Sequence, residues 1–419
     1  MSMLARRLGV GDAVMIGLGS MIGAGLFSAW APASAAAGSS LLLALAAAAL
    51  VAFCNASSSA QLAAQYPTSG GSYVYGRERL GEWPGFFAGW SFVIGKTASC
   101  AAMALTFAAY VAPAGWERPL GVVVVLALAA VNYVGVTRTA LLARVLVAII
   151  LVLLVIIVAA ALTAGMPRSG ELAGEILGGS PLGVLRAAGL LFFAFAGYAR
   201  VATMGEEVRD PARSIPRAIS LSLGLVFVIY LGVGVALLGT LGAHTLAASS
   251  APLLEAVRAG QWAWAAPLVR IAAAVATLGA LLALIAGVGR TSLAMAREGD
   301  LPRPLAAVHP RYRVPHRAEV TLALVVSVLV LTVDLRAAIG FSSLGVLLYY
   351  LVANLSALSQ DRAHRRYPRG IAVTGAIGCL VLVAALPPAA VFTGLGVLVV
   401  GVLYRLVAQR VTRRSSARL

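Results

Sequence analysis

The chain has 419 residues, of which 61% are hydrophobic and 11% charged, and its mean hydropathy is +0.94. A soluble domain carries about 25% charged residues and roughly half apolar ones, so one buried core is excluded as the home of this much apolar surface, and lipid must solvate much of it. The net charge of +17, from 32 Lys and Arg against 15 Asp and Glu, is spread as arginines over short connections between apolar runs, a membrane-topology pattern that argues against nucleic acid as a partner.

The start, 1–7, is basic, an apolar stretch follows, and Ala33-Ser34-Ala35 imitates a cleavage site. That is the outline of a secretory signal. Gly17, Gly19, Gly23 and Gly25 within the stretch, and the many apolar runs after it, favour an uncleaved first helix. Runs long enough to cross a bilayer fall at roughly 11–34, 39–63, 84–112, 119–136, 141–164, 182–206, 217–241, 266–297, 318–334, 338–359, 370–387 and 389–408, about twelve spans. The expected organisation is one all-α transmembrane domain over 1–408 with a basic tail over 409–419.

Cys54, Cys100 and Cys379 each lie inside an apolar run without metal-ligand spacing, and the four histidines fall in connecting segments. No metal site, cofactor or catalytic triad is expected, and the chain does not read as an enzyme.

Orientation follows from the arginines. An inside N-terminus places Arg6 and Arg7, Arg77 and Arg79, Arg138 and Arg144, Arg209 to Arg217, Arg297 to Arg317, Arg362 to Arg369 and the tail on the inner side. The outer loops keep Arg118, Arg168, Arg258 and Arg336. The chain therefore reads as a multi-pass protein of the cell's inner (plasma) membrane with both termini cytoplasmic.

Glycine punctuation is uneven. The first span carries Gly17-Leu18-Gly19-Ser20-Met21-Ile22-Gly23-Ala24-Gly25-Leu26-Phe27, and the sixth carries Phe192-Phe193-Ala194-Phe195-Ala196-Gly197-Tyr198-Ala199-Arg200. Interrupted helices at matching places in two halves mark a transporter's binding site; close helix contact through small residues is the alternative for the first span. A break exposes backbone N–H groups at one new end and carbonyls at the other, and in lipid both need partners. A zwitterion suits them, its carboxylate at the positive end of one half-helix and its ammonium at the carbonyls of the other.

The stretch from Gly17 to Phe27 resembles the first-helix motif of the amino acid–polyamine–organocation permeases, which share the leucine-transporter-like fold. Phe192 to Ile219, with Glu206-Glu207-Val208-Arg209-Asp210-Pro211 and Ile215-Pro216-Arg217, resembles their sixth helix and following loop. Pro67-Thr68-Ser69-Gly70-Gly71-Ser72-Tyr73, Gly89-Trp90, and Arg290 with Met295-Ala296-Arg297-Glu298-Gly299-Asp300-Leu301-Pro302 resemble further segments in the same order. The resemblance implies two inverted five-helix repeats, about 11–164 and 182–359, two extra helices over about 370–408, and broken first and sixth helices. It implies secondary transport of amino acids, proton-coupled or by exchange. The substrate carboxylate would meet the N–H groups around Gly23, Ala24 and Gly25, and its amine the carbonyls of Met21, Phe193 and Ala196, with Phe193 as a lid. Ile22, Gly197, Lys96 and Cys100 complete the expected substrate contacts. Phe193, Tyr198, Lys96, Arg200, Glu206 and Glu207 are the expected gating or coupling residues.

The chain departs from the family pattern in two places. An acid common two positions past the sixth-helix glycine is replaced by Ala199, with Arg200 next, and the helix-five lysine of many relatives is absent from the aliphatic run 151–157. Lys96 is the only lysine in the chain. An ionisable group at such depth is a functional candidate: it carries a coupling proton, holds an anionic substrate group, or snorkels to the interface. Arg200 either gates the inner path with Glu206 or Glu207 or supports its helix. Arg290 is expected to orient the loop to Pro302. A sodium-coupled symporter using Thr291 and Ser292 is the alternative, opposed by the adjacent Arg290; a polyamine substrate is opposed by Lys96 and Arg200.

The arginine bias predicts that a C-terminal tag in intact cells stays unreactive toward impermeant reagents. Labelling from outside would reverse the assigned topology.

Overall fold

A computed structural model describes residues 8–67, 70–134, 140–163, 179–205 and 207–416. Arg6, Arg7, Arg138, Arg168, Glu206, Thr68 and Ser69 lie outside the described residues. In chain order the helices are α1 (Val10–Met21), α2 (Ala24–Ser28), α3 (Trp30–Ala37), α4 (Leu41–Gln65), α5 (Ser72–Leu80), α6 (Glu82–Val111), α7 (Glu117–Tyr133), α8 (Ala140–Leu162), α9 (Pro181–Phe195), α10 (Ala199–Ala202), α11 (Pro211–Ala248), α12 (Pro252–Ala259), α13 (Ala266–Arg297), α14 (His316–Thr332), α15 (Leu335–Leu358), α16 (Arg369–Ala385) and α17 (Pro388–Ser416). No strand is formed among the described residues.

Each expected span falls on a helix, but length and hydropathy together qualify nine stretches among the described residues as membrane-crossing. Helices α7, α14 and α16 have 17 residues each and fall short of that length, so twelve crossings do not follow from length alone. The outward faces are apolar: Val155 is 70% exposed, Val228 65% and Phe392 72%. A soluble protein rarely exposes apolar side chains this densely, and lipid is their natural partner.

The helix ends carry their own local causes. Ser180 caps α9 by accepting from the Gly183 N–H at 3.0 Å, with Pro181 in the first turn. Asp334 caps α15 by accepting from the Ala337 N–H at 2.8 Å. Gly81, at φ 104°, makes the sharp corner between α5 and α6, a conformation open to glycine.

Small residues set a close helix crossing between α6 and α15. A Cβ on Gly345 of α15 would lie 2.7 Å from the Gly95 Cα of α6, so the two backbones touch directly. Ser99 and Ser342 hydrogen-bond across the same crossing at 2.6 Å. Lys96 follows Gly95, so this contact fixes where its side chain starts.

At the end of the bundle that carries the α13–α14 connection, charges are buried together. Asp300 is 3% exposed and Arg405 of α17 is 3% exposed. Asp300 accepts from the Tyr73 hydroxyl at 2.9 Å and pairs with Arg77 at 3.0 Å and Arg405 at 3.3 Å. Arg405 also donates to the Glu82 carbonyl at 2.9 Å and lies 4.7 Å over the rings of Trp83 and Phe86. Burial pushes the Asp300 carboxyl up, while Arg405, the Tyr73 hydroxyl and Arg77 pull it back. Arg77 and Arg405 therefore hold this loop, rather than Arg290, which is exposed and faces Glu319.

Asp300→Asn keeps the shape but removes the carboxylate from two buried guanidinium groups. It should cost about 3 kcal/mol and lower the unfolding temperature of the detergent-solubilised protein. An unchanged melting curve would remove the cluster from the stability account.

Candidate functional site

The first helix stops at Met21. Ile22 turns away at φ −77°, ψ 77°, Gly23 sits at φ −138°, ψ −143°, and helix resumes at Ala24. Ala29 has helical dihedrals and the bonds Ala29 N–H to Gly25 and Ala33 N–H to Ala29 carry α2 into α3, so one helix effectively runs from Ala24 to Ala37. The first bond of α2 is Leu26 N–H to the Gly23 carbonyl at 3.1 Å. The N–H groups of Ala24 and Gly25 therefore precede the hydrogen-bonded ladder.

The sixth span differs from the expected open break. Helix α9 tightens into a 3-10 turn over Ala196–Tyr198 and continues as α10. Phe195, Ala196, Tyr198 and Ala199 all keep helical dihedrals. One glycine among aromatic residues narrows the helix, whereas the glycine-dense first span opens. The two interruptions are pressed together. A Cβ on Gly197 would collide with the Ser20 carbonyl, and one on Gly25 would collide with the Ala194 backbone. Gly25 thus serves close helix packing whatever else it does. Gly23 is less confined, its nearest neighbour being the Ala280 Cβ at 3.0 Å.

Tyrosines satisfy the carbonyls at this junction. The Tyr230 hydroxyl of α11 lies 2.7 Å from the Met21 carbonyl and 3.0 Å from the Ala194 carbonyl, joining both interrupted helices. Met21 also accepts from the Gly23 N–H at 2.9 Å. The Tyr350 hydroxyl of α15 donates to the Ala196 carbonyl at 3.4 Å, and Tyr350 stacks on Tyr198 with ring centroids 4.9 Å apart. The Tyr110 hydroxyl donates to the Phe27 carbonyl at 2.8 Å, and Thr106 donates to Ser28 at 3.0 Å, fastening α6 to α2. Sequence reasoning missed Tyr230, Tyr350 and Tyr110. The available signal was a hydroxyl inside an otherwise aliphatic run, as in Phe227-Val228-Ile229-Tyr230-Leu231.

Lys96 reaches the same junction. It is 7% exposed, and its ammonium donates to the Ala196 carbonyl at 3.4 Å. No carboxylate among the described residues pairs with it. It does not snorkel to an interface. Cys100 is buried one turn further along α6. Phe193 is 8% exposed, on α9 one turn before the 3-10 turn.

Arg200 faces Glu207 at 3.8 Å. Glu207 is held by short pairing with the chain's beginning: Leu8 N–H donates to the Glu207 carbonyl at 3.1 Å and Arg209 N–H to the Leu8 carbonyl at 2.9 Å. The structure thus brings Met21, Ile22, Gly23, Ala24, Gly25, Ala196, Gly197 and Lys96 to one junction and sets Arg200 and Glu207 beside it. Thr291, a candidate ion ligand, donates its hydroxyl to the Gly287 carbonyl of its own helix at 3.2 Å.

The geometry separates the two glycines. Gly25→Ala should lower expression and thermal stability, because its Cβ meets backbone. Gly23→Ala, whose Cβ meets only the Ala280 Cβ, should cost less stability than Gly25→Ala and lose substrate binding, measured by scintillation proximity on purified protein. Equal stability losses in both would assign both glycines to packing.

Comparison with known proteins places this geometry in context. The chain matches the family described as amino acid permease over residues 8–407. It is 57% identical over 412 residues to an uncharacterized transporter of Mycobacterium tuberculosis, covering 98% of this chain and 93% of that one. It is 29% identical over 371 residues to the chloroplastic cationic amino acid transporter 7 of Arabidopsis thaliana, covering 82% of this chain and 63% of the relative. It is 25% identical over 338 residues to a branched-chain amino acid permease of Bacillus subtilis, covering 75% and 72%.

Proposed function

Because the chain belongs to the amino acid permease family, we propose that this multi-pass membrane protein carries amino acids across the cytoplasmic membrane by alternating access, coupled to protons or to exchange. The observation that carries the reading is the junction where the Ile22–Gly23 interruption packs against the Ala196–Tyr198 turn. The substrate carboxylate accepts from the N–H groups of Ala24 and Gly25, at the positive end of the helix that continues to Ala37. Its ammonium donates to carbonyls of the sixth span, those of Phe193 and Ala196. No covalent step is required; the work is recognition and movement.

Alternating access needs the bound molecule closed off from each side in turn. In this reading Phe193, buried near the end of α9, is the ring that covers the substrate on one side. Arg200 and Glu207, 3.8 Å apart, form a contact on the other whose opening admits water. A pair this loose is weak enough to open repeatedly.

Counterflow in liposomes tests the reading. Purified protein with unlabelled amino acids inside should accumulate the labelled form of at least one of the twenty from outside. Phe193→Ala should slow that exchange more than tenfold while leaving the melting temperature within a few degrees. Failure to exchange any amino acid would overturn the reading.

A further inference from the structure

The charges at the junction do not balance. Lys96 is buried with one neutral acceptor, the Ala196 carbonyl, although an ammonium has three N–H bonds to donate. A buried charge is tolerated when an opposite charge meets it. The Arg200–Glu207 pair sums to zero and supplies none. The carbonyls are crowded as well. Met21 already accepts from Gly23 and Tyr230, and Ala196 from Tyr350 and Lys96. Lys96 occupies the place on the Ala196 carbonyl that the ammonium of a substrate would take.

We propose that the substrate is an amino acid with a side-chain carboxylate, and that this carboxylate pairs with the Lys96 ammonium and draws it off the Ala196 carbonyl, which then receives the α-ammonium. The proposal rests on the permease reading above and names its substrate class. An α-amino acid with an uncharged side chain brings no net charge to neutralise Lys96. A cationic one adds a like charge to a water-poor site. An acidic one brings one net negative charge and supplies each group with its complement: its carboxylate goes to the ammonium, and its own ammonium goes to the carbonyl that Lys96 vacates. The close Gly95–Gly345 crossing holds the base of the lysine in place, so the exchange requires only its flexible stem to move.

The test is counterflow in liposomes with labelled glutamate, aspartate, leucine and lysine. The wild-type protein should exchange glutamate or aspartate at least tenfold faster than leucine or lysine. Lys96→Met should lose acidic exchange at least tenfold and narrow its preference against leucine, and Lys96→Arg should retain part of the acidic exchange. Preferred exchange of leucine or lysine by the wild-type protein would overturn the inference and leave the permease reading intact. Exchange of no amino acid would overturn both. If Lys96→Met elutes aggregated, the wild-type preference decides alone. Undiminished acidic exchange by well-folded Lys96→Met would also overturn it.

Discussion

Inside hydrocarbon, a peptide group without a hydrogen-bond partner costs several kcal/mol, and the interruption at Ile22–Gly23 places such groups within a membrane-spanning helix. Everything around the junction answers that demand. Tyr230 covers the carbonyls of Met21 and Ala194. Tyr350 and Lys96 cover that of Ala196. The sixth span meets the same demand differently, by keeping i to i+3 bonds through a tightened turn. What remains without a partner in the ladder, the N–H groups of Ala24 and Gly25, is where an anionic group gains most.

Close backbone contact makes this arrangement possible. Gly197 against Ser20 and Met21, Gly25 against Ala194, and Gly95 against Gly345 each remove the layer of side chains that ordinarily separates helices. The first two contacts tie the interrupted helices into one unit. The third ties α6 to α15 and fixes the origin of Lys96. The hydrogen bond from Lys96 to Ala196 crosses between those two units, so a relative movement of the units must stretch or break it.

Two buried cations in this protein have opposite surroundings. Arg405 meets Asp300, the Glu82 carbonyl and two aromatic faces, so its charge is matched and its position fixed. Lys96 meets one neutral carbonyl. A matched charge belongs to the scaffold, since removing its partner exposes an uncompensated ion. An unmatched one is where the proposed substrate carboxylate would pair, and this contrast separates the structural cluster from the candidate site.

Composition and hydropathy alone were enough to establish an all-α membrane protein, because the excess of apolar residues has no other solvent than lipid. The glycine-dense run from Gly17 to Gly25 located the interruption of the first helix, since local backbone freedom is a property of the residues themselves. The oddity of Lys96 was equally legible, as a lone ammonium within an apolar run. Hydropathy could not establish its acceptor, nor that Tyr230 and Tyr350 reach different carbonyls of one junction from helices far apart in the chain. Nor could the residues from Phe192 to Arg200 reveal that the sixth span tightens instead of opening, or that Gly25 is confined by Ala194. Those outcomes depend on which backbone approaches which, and such contacts exist only after the helices have packed.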